Sequence, residues 1–477
     1  MSDDPVVLAG QGRILGGSPT PSPCRITLEA ERLEVDVTGA PPILAAYRDL
    51  TTLATQPGST LLVFGDGTDA VRIVVEQLGD QVGRLIGELR ERRTRQRLTD
   101  ALVEAEPDPF ELVEYASGAD HAVAQVGFQP WGAELVPLDE RLAWRRIRRG
   151  SIASAVAETA TGGVRIDWLP GAGGSTGEPL TLLALGDAAT RWANRFAALR
   201  DAAVRDASTL VTGLLPDATF GTRQRLSRLL VDGRPASLAD LGPDAPLLDA
   251  AVLSEPVFAA SFRALLEKAG PAAPRWFAMA PEAPGADKRK AWYLVALPGN
   301  LVALELVSEG AHATYLFRVE PRASFDGAGP DAQAEVAAAA ATGISEALID
   351  ARFLREPMAL PAAQLADASH VRYRLALAAL PSLAAARRRF VARLVHDDPA
   401  RWAAALDSLV AWHGACRDDA AEWPGRTEEE RRVTDAAGGA GPGNHDGLGA
   451  RDPGGEGTPE STTSTDGANA GSGVSGG

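Results

Sequence analysis

Lysine is nearly missing from this chain: of 47 basic residues, only Lys268, Lys288 and Lys290 are not arginine. With abundant Ala, Gly, Pro, Asp and Val, that bias reflects codon usage in a high-GC genome. Arginine clusters are therefore discounted before they are read as basic patches. Cysteine is as scarce. Cys24 and Cys416 allow one bridge at most, which excludes a disulfide framework. No secretory leader is expected, and with so little cysteine the expectation is a cytoplasmic protein. No apolar run reaches the ~18 residues of a membrane-spanning helix. Positive charge is in deficit, 47 basic against 63 acidic residues for a net −16, which argues against nucleic acid as a partner. Against these absences stands a 45% hydrophobic content over 477 residues. At about 150 residues per domain that is material for three domains.

The two ends read as unstructured. Residues 1–23 are expected to form a flexible arm. Residues 435–477 hold 14 of the 49 glycines and six acids against one arginine, with Leu448 and Val474 as the only large aliphatics. Such a segment buries too little apolar surface to offset the entropy of ordering, so it reads as a disordered tail. Its final Gly473-Val474-Ser475-Gly476-Gly477 has the spacing of a nucleophile elbow but not the strand and helix that motif requires.

Residues 24–100 form a clear module. Arg32 to Thr38 alternates polar and apolar without error, the pattern of a half-buried strand. Cys24–Glu29, Ile43–Leu50, Thr60–Phe64 and Val71–Val75 read as further strands, with a turn at Gly65-Asp66-Gly67. After Asp80, a candidate N-cap, the period changes. Val82, Leu85, Ile86 and Leu89 mark one face of a helix, and Arg84, Arg90, Arg92, Arg93, Arg95 and Arg97 lie off that face or at its end. Residues 116–210 read as a second copy. Leu78-Gly79-Asp80 and Leu185-Gly186-Asp187 open equivalent helices 107 residues apart. Val164–Trp168 alternates, Gly171–Gly174 makes a loop, Leu180–Leu185 is a buried strand, and Trp192, Phe196, Leu199 and Ala203 form the helix stripe.

This layout resembles the pleckstrin-homology-like fold, including bacterial PH and GRAM-type domains. The resemblance rests on Tyr47-Arg48-Asp49-Leu50, Thr60 to Gly67, Val71 to Val75 and the following helix, with Trp192 matching a tryptophan recurrent in the family's closing helix. It implies an α+β chain: two antiparallel β-rolls, each closed by a C-terminal helix. After them, residues 217–423 read as an α+β domain with a helical cap, or as a diverged third unit. Its strands are expected at Trp276–Ala280, Trp292–Leu297, Leu301–Val307 and Ala313–Val319, and a helix at Asp331–Arg352. Helices are then expected through Phe390, Val391 and Leu394, and through Trp402, Leu406, Leu409, Val410 and His413.

Chemistry is harder to find. Gly10-Gln11-Gly12 follows an apolar run, but the prolines at 19, 21 and 23 exclude the helix that a dinucleotide site needs. His396, His413 and Cys416 lack four-ligand zinc spacing, and Cys24 reads as structural. No cofactor, metal or catalytic residue is assigned. The sharpest surface feature is the basic step Arg141, Trp144, Arg145, Arg146, Arg148 and Arg149. In lipid-binding PH domains basic residues near the early strands meet phosphoinositide headgroups, and arginine clamps phosphate bidentately. The alternative is a strand face or interdomain contact paired with acids. Three functions follow: a non-enzymatic adaptor that binds protein partners, a peripheral sensor of anionic membranes that uses Arg145–Arg149, or an enzyme whose site lies in residues 217–423.

Overall fold

The computed structural model describes residues 5–15, 20–65, 70–103, 110–139, 142, 144–169, 178–254, 256–286, 288–307, 313–319, 329–416, 418 and 421–426. The Asp66-Gly67 turn, the Gly171–Gly177 loop, Arg141 and the 435–477 tail lie outside them. The chain is α+β. Its first sheet comprises β1 (Val6–Ile14), β2 (Ser22–Leu28), β3 (Arg32–Val37), β4 (Ile43–Ala46), β5 (Leu50–Gln56), β6 (Ser59–Phe64) and β7 (Val71–Glu76). They pair antiparallel in the order β4-β3-β2-β1-β7-β6-β5. Alternation decides the buried face: Leu33, Val35 and Val37 of β3 point inward with Leu62, Ile73 and Val75. Leu85 and Leu89 of α1 (Gln81–Asp100) join that cluster.

The expected arm is corrected: β1 is the central strand, between β2 and β7. Its sequence hides this because Gly10 and Gly12 interrupt the alternation. Both glycines are required by close packing. A Cβ on Gly10 would lie 2.8 Å from the Glu76 carbonyl oxygen, and one on Gly12 would lie 2.8 Å from Cys24 Cβ. The G-x-G spacing thus serves strand approach.

The second sheet repeats the first. β8 (Glu111–Ser117), β9 (Asp120–Gln129), β10 (Gly132–Pro137), β11 (Arg145–Arg148), β12 (Ile152–Glu158), β13 (Gly163–Trp168) and β14 (Leu180–Leu183) run β11-β10-β9-β8-β14-β13-β12. In each sheet the fourth strand leads into a 3-10 turn, Tyr47–Asp49 or Arg149–Ser151. In each, the next strand carries a register shift at its start, between Leu50 and Thr52 or between Ile152 and Ser154. In each, a helix follows the seventh strand. α2 (Ala189–Leu214) places Trp192 and Phe196 against Phe128, with ring centroids 5.6 and 5.3 Å away.

The third sheet differs. β15 (Ala236–Ser237), β16 (Arg275–Pro281), β17 (Arg289–Leu297), β18 (Leu301–Val307), β19 (Ala313–Arg318) and β20 (Phe390–Val395) form a meander in chain order. It does not repeat the order of the other two. Phe390–Val395, expected as helix, is its last strand. A six-residue segment, apolar but for Arg393, carries too little periodicity to separate the two states. Both faces are covered, so β17 reads as continuous apolar sequence. Trp292 and Leu294 face α7 (Pro330–Asp350) and its neighbours, while Tyr293 and Val295 face Phe258 and Phe262 of the helix Pro256–Ala269. (Between α2 and α7 lie α3 Phe220–Leu229, α4 Leu238–Leu241, α5 Ala245–Val252 and α6, that Pro256–Ala269 helix.)

The helices after each sheet also join the parts. Along α1, Leu85 and Leu89 belong to the first core, whereas Leu98 and the C-cap Ala101 enter the core around Trp292. Along α2, Trp192 and Phe196 belong to the second core, and Leu210, Val211 and Leu214 to the core around Tyr293. Twenty and twenty-six residues give rods of about 30 and 39 Å, long enough to serve two cores each. Residues 1–430 accordingly form one compact unit.

Candidate functional site

The basic step lies on the edge strand β11 and the turn after it. Antiparallel pairing sets Arg146 directly opposite Glu134 of β10, and Arg148 opposite Gly132. Ile147, between the two arginines, points into the sheet's own core and is 1% exposed. Arg146 and Arg148 therefore share the outer face, two residues and about 6.8 Å apart. Across from them runs α7, whose last turns carry Glu346 and Asp350. Residues four apart on a helix sit about 5–6 Å apart on one face, so the two spacings match. Arg146 Nη1 donates to Asp350 Oδ1 at 2.8 Å, Arg148 Nε donates to the same oxygen at 3.1 Å, and Arg148 Nη1 lies 2.9 Å from Glu346 Oε1. Ser382, on the helix Pro381–Arg389, donates to Asp350 Oδ2.

Glu134, Glu346 and Asp350 thus meet two guanidiniums, and Glu346 is the most exposed of the five side chains at 21%. Burial would raise Asp350, but Arg148 and Arg146 outweigh it and hold its carboxyl well below the usual range. Glu134 is the odd acid. It is 1% exposed, and burial pushes it up to about 7 despite Arg146. Its Oε1 accepts from Gln129 Nε2 at 2.7 Å and from Arg146 Nε, while its Oε2 has no hydrogen-bond partner.

Arg149, in the 3-10 turn, is 2% exposed. Its guanidinium binds Asp206 of α2 at 2.7 Å and Asp232 at 3.1 Å. Gly150 permits the approach, since a Cβ there would fall 2.4 Å from Asp232 Cβ. Arg145 is the outermost member, one-third exposed, with Nη1 on Ser117 Oγ at 2.9 Å and Nη2 on Asp120. Trp144 is 9% exposed and packs in the core around Trp292. The structure therefore brings Trp144, Arg145, Arg146, Arg148 and Arg149 together, but as an internal joint. Beside it opens a cleft of about 670 Å³ between the second sheet and the helices α7 and Pro381–Arg389. Sequence reading missed Glu134, Asp206, Asp232, Glu346 and Asp350. The R-x-R spacing on the strand and E-x-x-x-D spacing on the helix were visible, but not their pairing across some 200 residues.

The other candidates stay apart. Among the described residues no group of His, Cys, Asp and Glu could hold a metal ion. His396 Nε2 lies 2.9 Å from Thr314 Oγ1 and 3.4 Å from Glu305 Oε1, and Trp402 Nε1 donates to Thr314 at 2.9 Å. Thr314 and Glu305 are buried, at 0% and 1% exposure. Cys24 is buried, and burial together with Asp36 pushes its thiol up to about 11, far from a reactive thiolate. No helix among the described residues is long and apolar enough to cross a membrane. No protein-family model and no curated protein matches the chain.

Proposed function

We propose that the chain is a non-enzymatic cytoplasmic adaptor whose two β-modules are pleckstrin-homology-like protein-binding units. The repeated strand order, the shared bulge after the fourth strand and the helix after the seventh support the family reading. One observation carries the functional part. The outer face of the second copy's fourth strand already holds a protein segment, the end of α7, through Arg146 and Arg148. A unit that docks a helix of its own chain there is suited to docking a partner at the matching place in the other copy. That place is β4, where Leu44 is 60% exposed.

The membrane reading loses its support because Arg146, Arg148 and Arg149 are committed to carboxylates of the same chain. For the enzyme reading, the acids that converge beside the cleft are held by those same arginines. The test is affinity purification from the native host of the wild-type chain beside Leu44→Asp, an exposed change that spares the core. The adaptor reading expects a stoichiometric protein partner with the wild type and its loss with the variant. Recovery of the same partner by both proteins, or of none, overturns it.

A further inference from the structure

Glu134 and Arg146 both line the cleft between the second sheet and the helices α7 and Pro381–Arg389. Gln129 Nε2 and Arg146 Nε both donate to Glu134 Oε1. That leaves Oε2 without a hydrogen-bond partner on a residue that is 1% exposed. Arg146 is uneven in the same way. Its Nε goes to Glu134 and its Nη1 to Asp350, while its Nη2 has no partner. An acceptor and a donor are therefore orphaned on two side chains that already touch. Buried orphans are uncommon in folded proteins, because each forfeits its hydration for nothing in return.

The fold explains how they arise. Strand register sets Glu134 opposite Arg146 and fixes both backbones. Arg146 must also reach across to α7 for Asp350. It therefore meets Glu134 through Nε alone and not through the two-pronged fork that an arginine and a carboxylate form when free to align. The leftover atoms are close neighbours. Oε2 shares its carbon with Oε1, and Nη2 shares its carbon with Nε. One group that offers a donor and an acceptor on a single carbon matches the pair: a primary carboxamide. An ammonium would satisfy Oε2 but face the Nη2 donor, and a carboxylate would do the reverse.

We propose that the cleft binds a small neutral molecule carrying a primary carboxamide, its N–H on Glu134 Oε2 and its carbonyl on Arg146 Nη2. The terminal torsion of glutamate is broad, so a small turn of the carboxyl presents Oε2 to the cleft. A flat apolar body then lies against Trp168 and Leu380, which line the same cleft. Trp168 is suited to this, because its Nε1 is already committed to the Glu178 carbonyl at 2.8 Å. The cleft volume of about 670 Å³ is that of an ordinary small-molecule site. The site is independent of the adaptor reading.

The experiment is titration calorimetry on the full chain with benzamide, N,N-dimethylbenzamide and benzoate, repeated with benzamide for Glu134→Gln. Benzamide is expected to bind one to one with a Kd of about 1 mM or tighter. N,N-dimethylbenzamide keeps the carbonyl but lacks the N–H, and benzoate brings a second carboxylate to Glu134. Each is expected to bind about tenfold or more weaker. In Glu134→Gln the donors Gln129 and Arg146 hold the new amide oxygen at the Oε1 place, which leaves an NH2 where Oε2 was. That variant is expected to melt no more than about 2 °C below the wild type and to lose about tenfold or more in benzamide affinity. No binding of benzamide, unchanged binding by the variant, or benzoate binding as tightly as benzamide overturns the proposal. Equal affinity of the wild type for the two amides overturns it whatever the variant does.

Discussion

Tyr47 and Arg149 occupy the same place in the two copies, the first residue of the 3-10 turn after the fourth strand, and they bond in opposite directions. The Tyr47 hydroxyl donates to the Glu29 carbonyl of its own sheet at 2.6 Å. Arg149 reaches out of its sheet to Asp206 and Asp232. One position thus closes a module in the first copy and fastens the second copy to the rest of the chain.

The two residues should differ in cost. Tyr47→Phe removes one hydrogen bond, and Arg92 Nη1 still donates to the Glu29 carbonyl at 2.8 Å. The expected loss is about 1 kcal/mol. Arg149→Met strands two acids, one of them Asp232 at 8% exposure, with an expected loss of about 3–5 kcal/mol. Urea denaturation of both variants checks the ranking, and equal losses would contradict it.

Glu134 should make stability depend on pH in an unusual direction. Its pKa is raised in the folded chain, to about 7. Between its ordinary carboxylate range and that value the folded state holds a proton that the unfolded state has released. Its contribution is therefore present at low pH and lost as pH rises toward neutrality. Thermal melts of wild type and Glu134→Gln at about pH 5 and about pH 8 should show the wild type losing ground to the variant at the higher value. Parallel shifts of the two proteins would contradict the assignment.

The basic step should not bind membranes. Among its described arginines only Arg145 has much exposure, and it is bound to Asp120 and Ser117. Co-sedimentation with anionic vesicles at low salt is expected to match that with neutral vesicles. Salt-sensitive binding lost on Arg145→Glu would show that the step is available to lipid after all.

What the sequence made legible follows from periodicity. β3, β7 and α1 were readable because each shows one apolar face with a regular repeat, and β6 because a short apolar run ends at a Gly-Asp-Gly turn signal. β1 was not, because glycines required for close strand approach replaced the side chains that would mark its faces. β20 was not, because it is short and, with both faces covered, its apolar residues do not alternate with polar ones. At the site, composition exposed the arginines of β11 but could not name their partners. Glu346 and Asp350 lie some 200 residues on, and only the folded chain sets a helix end against that strand.

The Arg145–Arg149 step is a contact surface within the chain, and Arg148 with Asp350 is its core. A double-mutant cycle with Arg148→Met and Asp350→Leu, read by urea denaturation of the full chain, tests this directly. Each single change unbalances the buried cluster, Arg148→Met taking a guanidinium from Asp350 and Glu346 and Asp350→Leu taking a carboxylate from both arginines, and should cost about 3–5 kcal/mol. The pair together leaves Arg146 with Glu134, and Glu346 loses Arg148 in the single and the double variant alike, so the double variant should recover about 2 kcal/mol or more relative to the sum of the singles. Additive losses would mean that the two residues do not hold the second sheet to α7, and the docking account would fall with them.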